Sequence, residues 1–225
     1  MRVTICIGLA IGTLTAANVL SHRVVPRAAP AIAAAQVGVL AAIARAGGRT
    51  RADLGLAAVA GPAGLRWGIG TAVAVAGGYG AALTLPAVRG VIVGSGAQPS
   101  RAARGAALTI PLTTVLPEEF AFRGVVFGLL GGDRRAALAS SVLFGLWHLL
   151  PALGDGPANA TMSGIVGDGR RGVALRVAGT VLATTVGGLL MAEVRLRSGS
   201  LLAPVLLHWT VNGVGELIAA TVRPR

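Results

Sequence analysis

The chain has 225 residues, of which 54% are hydrophobic and only 12% charged, with a mean hydropathy of +0.75. A soluble domain carries about 25% charged residues because its surface must face water, so this composition excludes an ordinary soluble globular protein and leaves lipid as the solvent. The net charge of +12 comes entirely from Arg; these residues stand singly or in pairs at the ends of apolar runs, which suits anionic lipid headgroups and argues against nucleic acid as a partner.

Taken in chain order, apolar runs bounded by Arg, Gly and Pro predict helices over residues 3–20, 28–44, 67–88, 105–130, 136–153, 172–192 and 201–222. Each reaches or approaches the roughly 17–25 residues needed to cross a bilayer. The expectation is therefore an all-α, polytopic transmembrane bundle of about seven spans. Six and eight are the neighbouring counts, because 54–65 and 90–97 are apolar but short. The first run carries Arg2 ahead of it but has no small-x-small cleavage site, and reads as a retained helix rather than a signal peptide. Cys6, the single cysteine, lies within that run and is expected to be small apolar filler, with no disulfide or thiolate metal cluster available. The Gly-rich connection 154–171 reads as a flexible loop. Arg residues divide almost evenly between alternate connections, so the positive-inside rule sets no orientation.

In a membrane chain the informative residues are polar ones inside apolar runs, since an ionisable group at the bilayer centre costs about 2.5–3.5 kcal/mol or more on insertion scales. Here they are few, and nearly all follow residue 115. The fourth run holds Pro117-Glu118-Glu119-Phe120-Ala121-Phe122-Arg123-Gly124. Glu119 and Arg123 are four apart, share a helix face and can pair. Glu118 is five from Arg123 and points away, which leaves one carboxylate free in low-dielectric surroundings to serve as a general base for water. Pro117 removes a backbone hydrogen bond just before the pair, where a kink can admit water.

The fifth run holds Phe144-Gly145-Leu146-Trp147-His148, with Phe144 and His148 on one face and Gly145 allowing close helix approach. The seventh holds His208-Trp209-Thr210-Val211-Asn212, again with the two polar residues four apart, and Glu216 continues that stripe. Each feature alone has a bland reading: a Glu–Arg pair is good interhelical glue, and a lone His is more often a satisfied core residue. Together, carboxylate, imidazole and amide groups at membrane depth on three runs can activate water and stabilise a tetrahedral intermediate. The same donors suit a divalent metal such as zinc, although no His-Glu-x-x-His helix requires one.

The ordered set Glu118-Glu119-x-x-x-Arg123, Phe144-x-x-x-His148 and His208-x-x-x-Asn212 resembles the CAAX-protease and bacteriocin-processing (CPBP, or ABI) family of intramembrane proteases. Phe122-Arg123-Gly124, the segment from Ser141 to His148, and Gly199-Ser200-Leu201 with Pro204 ahead of His208 agree with it, and the likeness covers roughly residues 105–215. The resemblance implies a helical bundle with a membrane-embedded cavity. Glu118 would activate water, His148 would assist, His208 with Asn212 would stabilise the oxyanion, and Glu119, Arg123 and Phe144 would support the site. It divides the chain into residues 1–100, helices of unassigned role, and 101–225, a CAAX-protease-like core. No cofactor is certain; metal dependence stays open.

The leading expectation is thus a CAAX prenyl protease 2-like intramembrane endopeptidase acting on a membrane-associated peptide or protein with glutamate-activated water. Its partners would be that substrate and the lipid bilayer. The short, Lys-free chain looks bacterial, which places it in a bacterial plasma membrane, where prenylated CAAX proteins are not expected. A catalytically silent scaffold, or an immunity or peptide-binding protein using the same cavity, is the alternative. Transport is disfavoured because the polar residues fall in one half, without paired broken helices.

Overall fold

A computed structural model describes residues 2–91, 98–154 and 157–221, and the predicted short apolar segment 90–97 lies largely outside them. Among the described residues the chain is helical, without strands. We number the helices α1 (Arg2–Val19), α2 (Ala29–Ala46), α3 (Gly61–Ala82), α4 (Pro86–Val91), α5 (99–129), α6 (Arg134–Trp147), α7 (Leu149–Ala152), α8 (Pro157–Val166), α9 (Arg170–Ser198) and α10 (Leu202–Thr221).

Four helical stretches are long and apolar enough to cross a membrane by length and composition: Arg2–Val24, Pro26–Ala46, Arg170–Ser198 and Leu202–Thr221. The other predicted spans differ from them for local reasons. α3 starts earlier and ends earlier than the predicted 67–88, so it includes Arg66, and its Gly residues dilute its apolar content. α6 is interrupted at His148, beyond which only the four residues of α7 continue. α5 is wound partly as π-turns, at Gly105–Thr109, Pro111–Val115 and Phe120–Val126. Pro111 and Pro117 lack the amide hydrogen that an α-turn requires, and π-bulges gather where the regular ladder is broken.

The predicted loop 154–171 is corrected: Pro157–Val166 forms a helix. Pro157 suits a first helical turn, and Gly167, with φ +85°, accepts a conformation that ends it. The same chemistry closes α9, where Gly199 at φ +65° donates its N–H to the Arg195 carbonyl at 3.0 Å. At the other end of the core, Gly131 and Gly132 make the turn after α5, and Asp133 caps α6 by accepting from the Ala136 N–H at 2.8 Å.

One hydrophobic cluster joins the two halves of the chain. It contains Cys6 and Leu14 from α1, Leu40 and Ile43 from α2, Phe122 and Val125 from α5, and Phe144 from α6. Cys6 is indeed buried filler within it. A second cluster packs Met191 and Val194 of α9 against Ala203 and Leu207 of α10, with Trp67 and Val75 of α3 alongside. Large apolar side chains such as Val73, Leu112, Leu182 and Leu190 stay exposed on the outside, as lipid-facing residues should. The α2–α3 connection is tied down by Arg195, whose Nη2 donates to the Asp53 carbonyl at 3.1 Å.

Candidate active site

The buried centre of the site is an ion pair with an imidazole attached. Glu119 and Arg123, one helical turn apart on α5, meet at 2.9 Å with both side chains fully buried. The same Glu119 oxygen accepts from Nδ1–H of His208 on α10 at 2.8 Å. The Nε2 of His208 then faces the Asn212 amide nitrogen at 3.2 Å. This describes a neutral imidazole, donating to the carboxylate and accepting from the amide. Glu119, Arg123 and His208 together then carry no net charge, which lowers the cost of placing them in an apolar interior.

Phe144 wedges this cluster against the second half of the site. Its ring lies 4.1 Å from the Arg123 guanidinium carbon, 6.0 Å from the His208 ring and 4.6 Å from the His148 ring. Gly145 lets α6 and α9 approach closely enough to hold it there, because a Cβ at that position would lie 2.8 Å from the Val181 carbonyl oxygen. His148 sits where α6 breaks, with Nδ1 2.8 Å from the Phe144 carbonyl oxygen. A carbonyl only accepts, so Nδ1 carries the hydrogen, and Nε2 is the nitrogen left to accept when the ring is neutral.

Glu118 points away from the ion pair. Its Oε2 is buried without a protein partner, and the side chain lines a cavity of about 470 Å³ together with His148, Trp147, Thr113, Thr114 and Pro117. The predicted site residues are therefore brought together in two connected groups rather than around one void. Glu118 and His148 face the cavity; His208 and Asn212 lie outside its wall, held back by Glu119. Glu216, placed on the same stripe as His208 and Asn212, instead approaches Gly105 at the far end of α5.

The cavity also has walls that sequence reasoning missed. Ser21 and His22 from the π-turn Leu20–Val24 that follows α1, and Gln36 from α2, complete it. Asn18, one turn before His22, donates to the Trp147 carbonyl at 2.8 Å, beside the turn that carries His148. The signal was available: Asn18 and Gln36 are polar residues inside apolar runs, both buried, and the same criterion that selected Glu118 applies to them.

Among the described residues no three His, Cys, Asp or Glu side chains stand close enough to hold a metal ion. Glu119 and His208 are committed to each other, and although His22 lines the cavity with Glu118 and His148, the three do not converge closely enough to form a ligand set. The donor set does not fit a zinc centre.

Residues 101–214 match the family model described as type II CAAX prenyl endopeptidase Rce1-like. The chain belongs to that family. The matched stretch contains the helices that carry Glu118, His148, His208 and Asn212, and it supports the CAAX-protease relationship that the motifs suggest. Comparison with curated proteins and with solved structures gives no match. With four helices of membrane-crossing length and apolarity, this Rce1-like chain is an integral membrane protein of a protease family.

Proposed function

We propose that this protein is an intramembrane endopeptidase that hydrolyses a peptide bond of a membrane-associated peptide or protein with water activated by Glu118. The observation that carries the reading is the unpartnered Glu118 Oε2 on a side chain that lines one cavity with His148, next to a neighbouring carboxylate already neutralised by Arg123. Two adjacent acids in one helix thus have different roles, set by their neighbours.

In this mechanism a cavity water gives one proton to Glu118 and holds the other toward the Nε2 lone pair of His148. The oxygen attacks the carbonyl carbon, and the amide π electrons move onto the carbonyl oxygen. As the intermediate collapses, protonated Glu118 returns its proton to the departing nitrogen and the C–N bond breaks. Glu119 and Arg123 fix the helix that carries Glu118, and Phe144 fixes His148. His208 and Asn212 are the proposed oxyanion pair. Since Nδ1–H of His208 is bonded to Glu119, the hydrogen they offer is the second N–H of Asn212, reached when substrate opens the wall between them and the cavity.

The family description names prenyl endopeptidases. An apolar groove of about 380 Å³ between α1 and α6, sharing Trp147 with the polar cavity, has the lining for a substrate's lipid chain. We read the bundle as seven spans in a bacterial plasma membrane, with α3, α5 and the α6–α7 pair joining the four long apolar helices. α3, at 22 residues, extends for about 33 Å, enough to cross the hydrocarbon core.

The test is cleavage by purified, detergent-solubilised protein, using a farnesylated CAAX peptide and a library of unmodified peptides, with and without chelator. Cleavage that disappears in Glu118→Gln and survives chelation supports the reading. Binding of peptides without cleavage by folded wild type replaces it with the peptide-binding scaffold. Activity abolished by chelator overturns the metal-free mechanism.

A further inference from the structure

The reaction proposed above needs a hydrogen-bond donor at the carbonyl oxygen, and the cavity wall contains one that the family motif does not include. α2 buries Gln36, Leu40, Ile43 and Ala44 along one stripe, the spacing of a core-facing helix side. Three of those four are apolar and join the main hydrophobic cluster. Gln36, one turn from Leu40, occupies a core position with a primary amide. It is 6% exposed, and of the polar residues lining the Glu118 cavity it is the most deeply buried.

A buried amide normally finds a protein partner. Asn18, the comparable residue on α1, does so by donating to the Trp147 carbonyl. Among the described residues Gln36 makes no protein hydrogen bond, and its buried side chain lines the cavity. Two other donors on this wall are occupied: the Thr113 hydroxyl donates to the Thr109 carbonyl and Nδ1–H of His148 to the Phe144 carbonyl. The Ser21 and Thr114 hydroxyls also line it, but both are less buried than Gln36. A rigid apolar helix therefore holds a free N–H pair on the wall of the cavity that contains the candidate base.

We propose that Gln36 is a catalytic residue whose side-chain amide donates to the scissile carbonyl oxygen as it becomes an anion. This rests on the endopeptidase reading given above. It assigns to the N-terminal helices a share in the chemistry, with α2 as an oxyanion wall complementary to Asn212 of α10. Because the donor is held by packing before substrate arrives, its contribution grows as charge develops on the oxygen, so it acts on the transition state more than on ground-state binding.

The experiment compares wild type, Gln36→Leu and Gln36→Glu on whichever probe peptide the wild type cleaves. It also measures binding of that peptide and of its phosphonamidate analogue, whose tetrahedral anion stands in for the intermediate. Loss of one oxyanion donor elsewhere lowers kcat about 10²–10³-fold, and a fall of that order is expected in both variants, with KM within about threefold. Phosphonamidate affinity should fall by a similar factor while peptide affinity holds, a split that a purely structural role would not produce. Thermal melting of both variants checks folding, and Gln36→Glu keeps the side-chain shape if the leucine variant does not fold. Cleavage by both variants at near wild-type kcat overturns the proposal and leaves the endopeptidase intact. Equal losses of peptide and phosphonamidate affinity overturn it in favour of ground-state binding. Absence of cleavage by folded wild type removes the endopeptidase reading, and this proposal with it.

Discussion

Replacing Arg123 by Met tests whether the Glu119–Arg123–His208 cluster holds the site together. The substitution keeps a long apolar side chain but removes the guanidinium 2.9 Å from Glu119 and 4.1 Å from the Phe144 ring centroid. Glu119 has no exposure and would keep only His208 as a partner. Breaking a buried pair by removing one member costs about 3–5 kcal/mol, mostly from the charge left behind. For a chain of this size each kcal/mol moves the melting temperature by about 2–4 °C on the soluble-protein scale. The expected fall is therefore about 6–20 °C, read from thermal unfolding in a fixed detergent. The double variant Glu119→Gln/Arg123→Met removes both charges and should recover much of the loss. If Arg123→Met melts within about 2 °C of wild type, the pair is not buried as described and the reasoning fails.

Gly145→Ala should push α6 away from α9, because the new methyl would meet the Val181 carbonyl, which cannot swing aside. Overpacking of this kind costs about 1–3 kcal/mol, and an unchanged melting temperature would contradict the close approach. Acid should loosen the α2–α3 connection. The backbone N–H and hydroxyl of Thr50, both bonded to Asp53, hold the Asp53 carboxyl below the usual carboxylate range. A depressed folded-state pKa means stability present at neutral pH and lost as pH falls through that lowered value. The protection factor of the Thr50 amide, its exchange rate corrected for the intrinsic rate at each pH, should therefore fall in strong acid in the wild type and not in Asp53→Asn, whose protection is already reduced at neutral pH; an acid-insensitive protection factor in the wild type would count against it.

How far the sequence could be read depends on how local each feature is. The Glu119–Arg123 pair is four residues apart on one helix, so spacing alone reveals it. The end of α9 is similarly legible from Ser198-Gly199, since Gly is suited to the left-handed residue that stops a helix there. By contrast, the Glu119–His208 hydrogen bond joins residues 89 positions apart and depends on how α10 docks against α5. Pattern reasoning placed His208 in the site but could not show that Glu119 would take its Nδ1–H. The Gly and Asp residues that flank α8 give its stretch the composition of a loop, although Pro157 and Gly167 mark its two ends. Gln36 and Asn18 are harder to read from sequence because each stands in a stripe of buried apolar residues. The span count was uncertain for a physical reason too. Proline-induced π-turns in α5 and the break at His148 interrupt the regular helices from which spans are counted, and those interruptions shape the cavity.

The account's central claim is that Glu118 and His148 act on one water in one cavity. The most direct test is a double-mutant cycle on kcat with Glu118→Gln, His148→Gln and the pair, measured on a single cleavable peptide. Groups that act as a unit lose activity non-additively. Each single variant should lose about 10²–10⁴-fold, and the double variant should lose little more than the worse single one. Losses that multiply in the double variant, or a Glu118→Gln enzyme that still turns over at the wild-type rate, would contradict the claim.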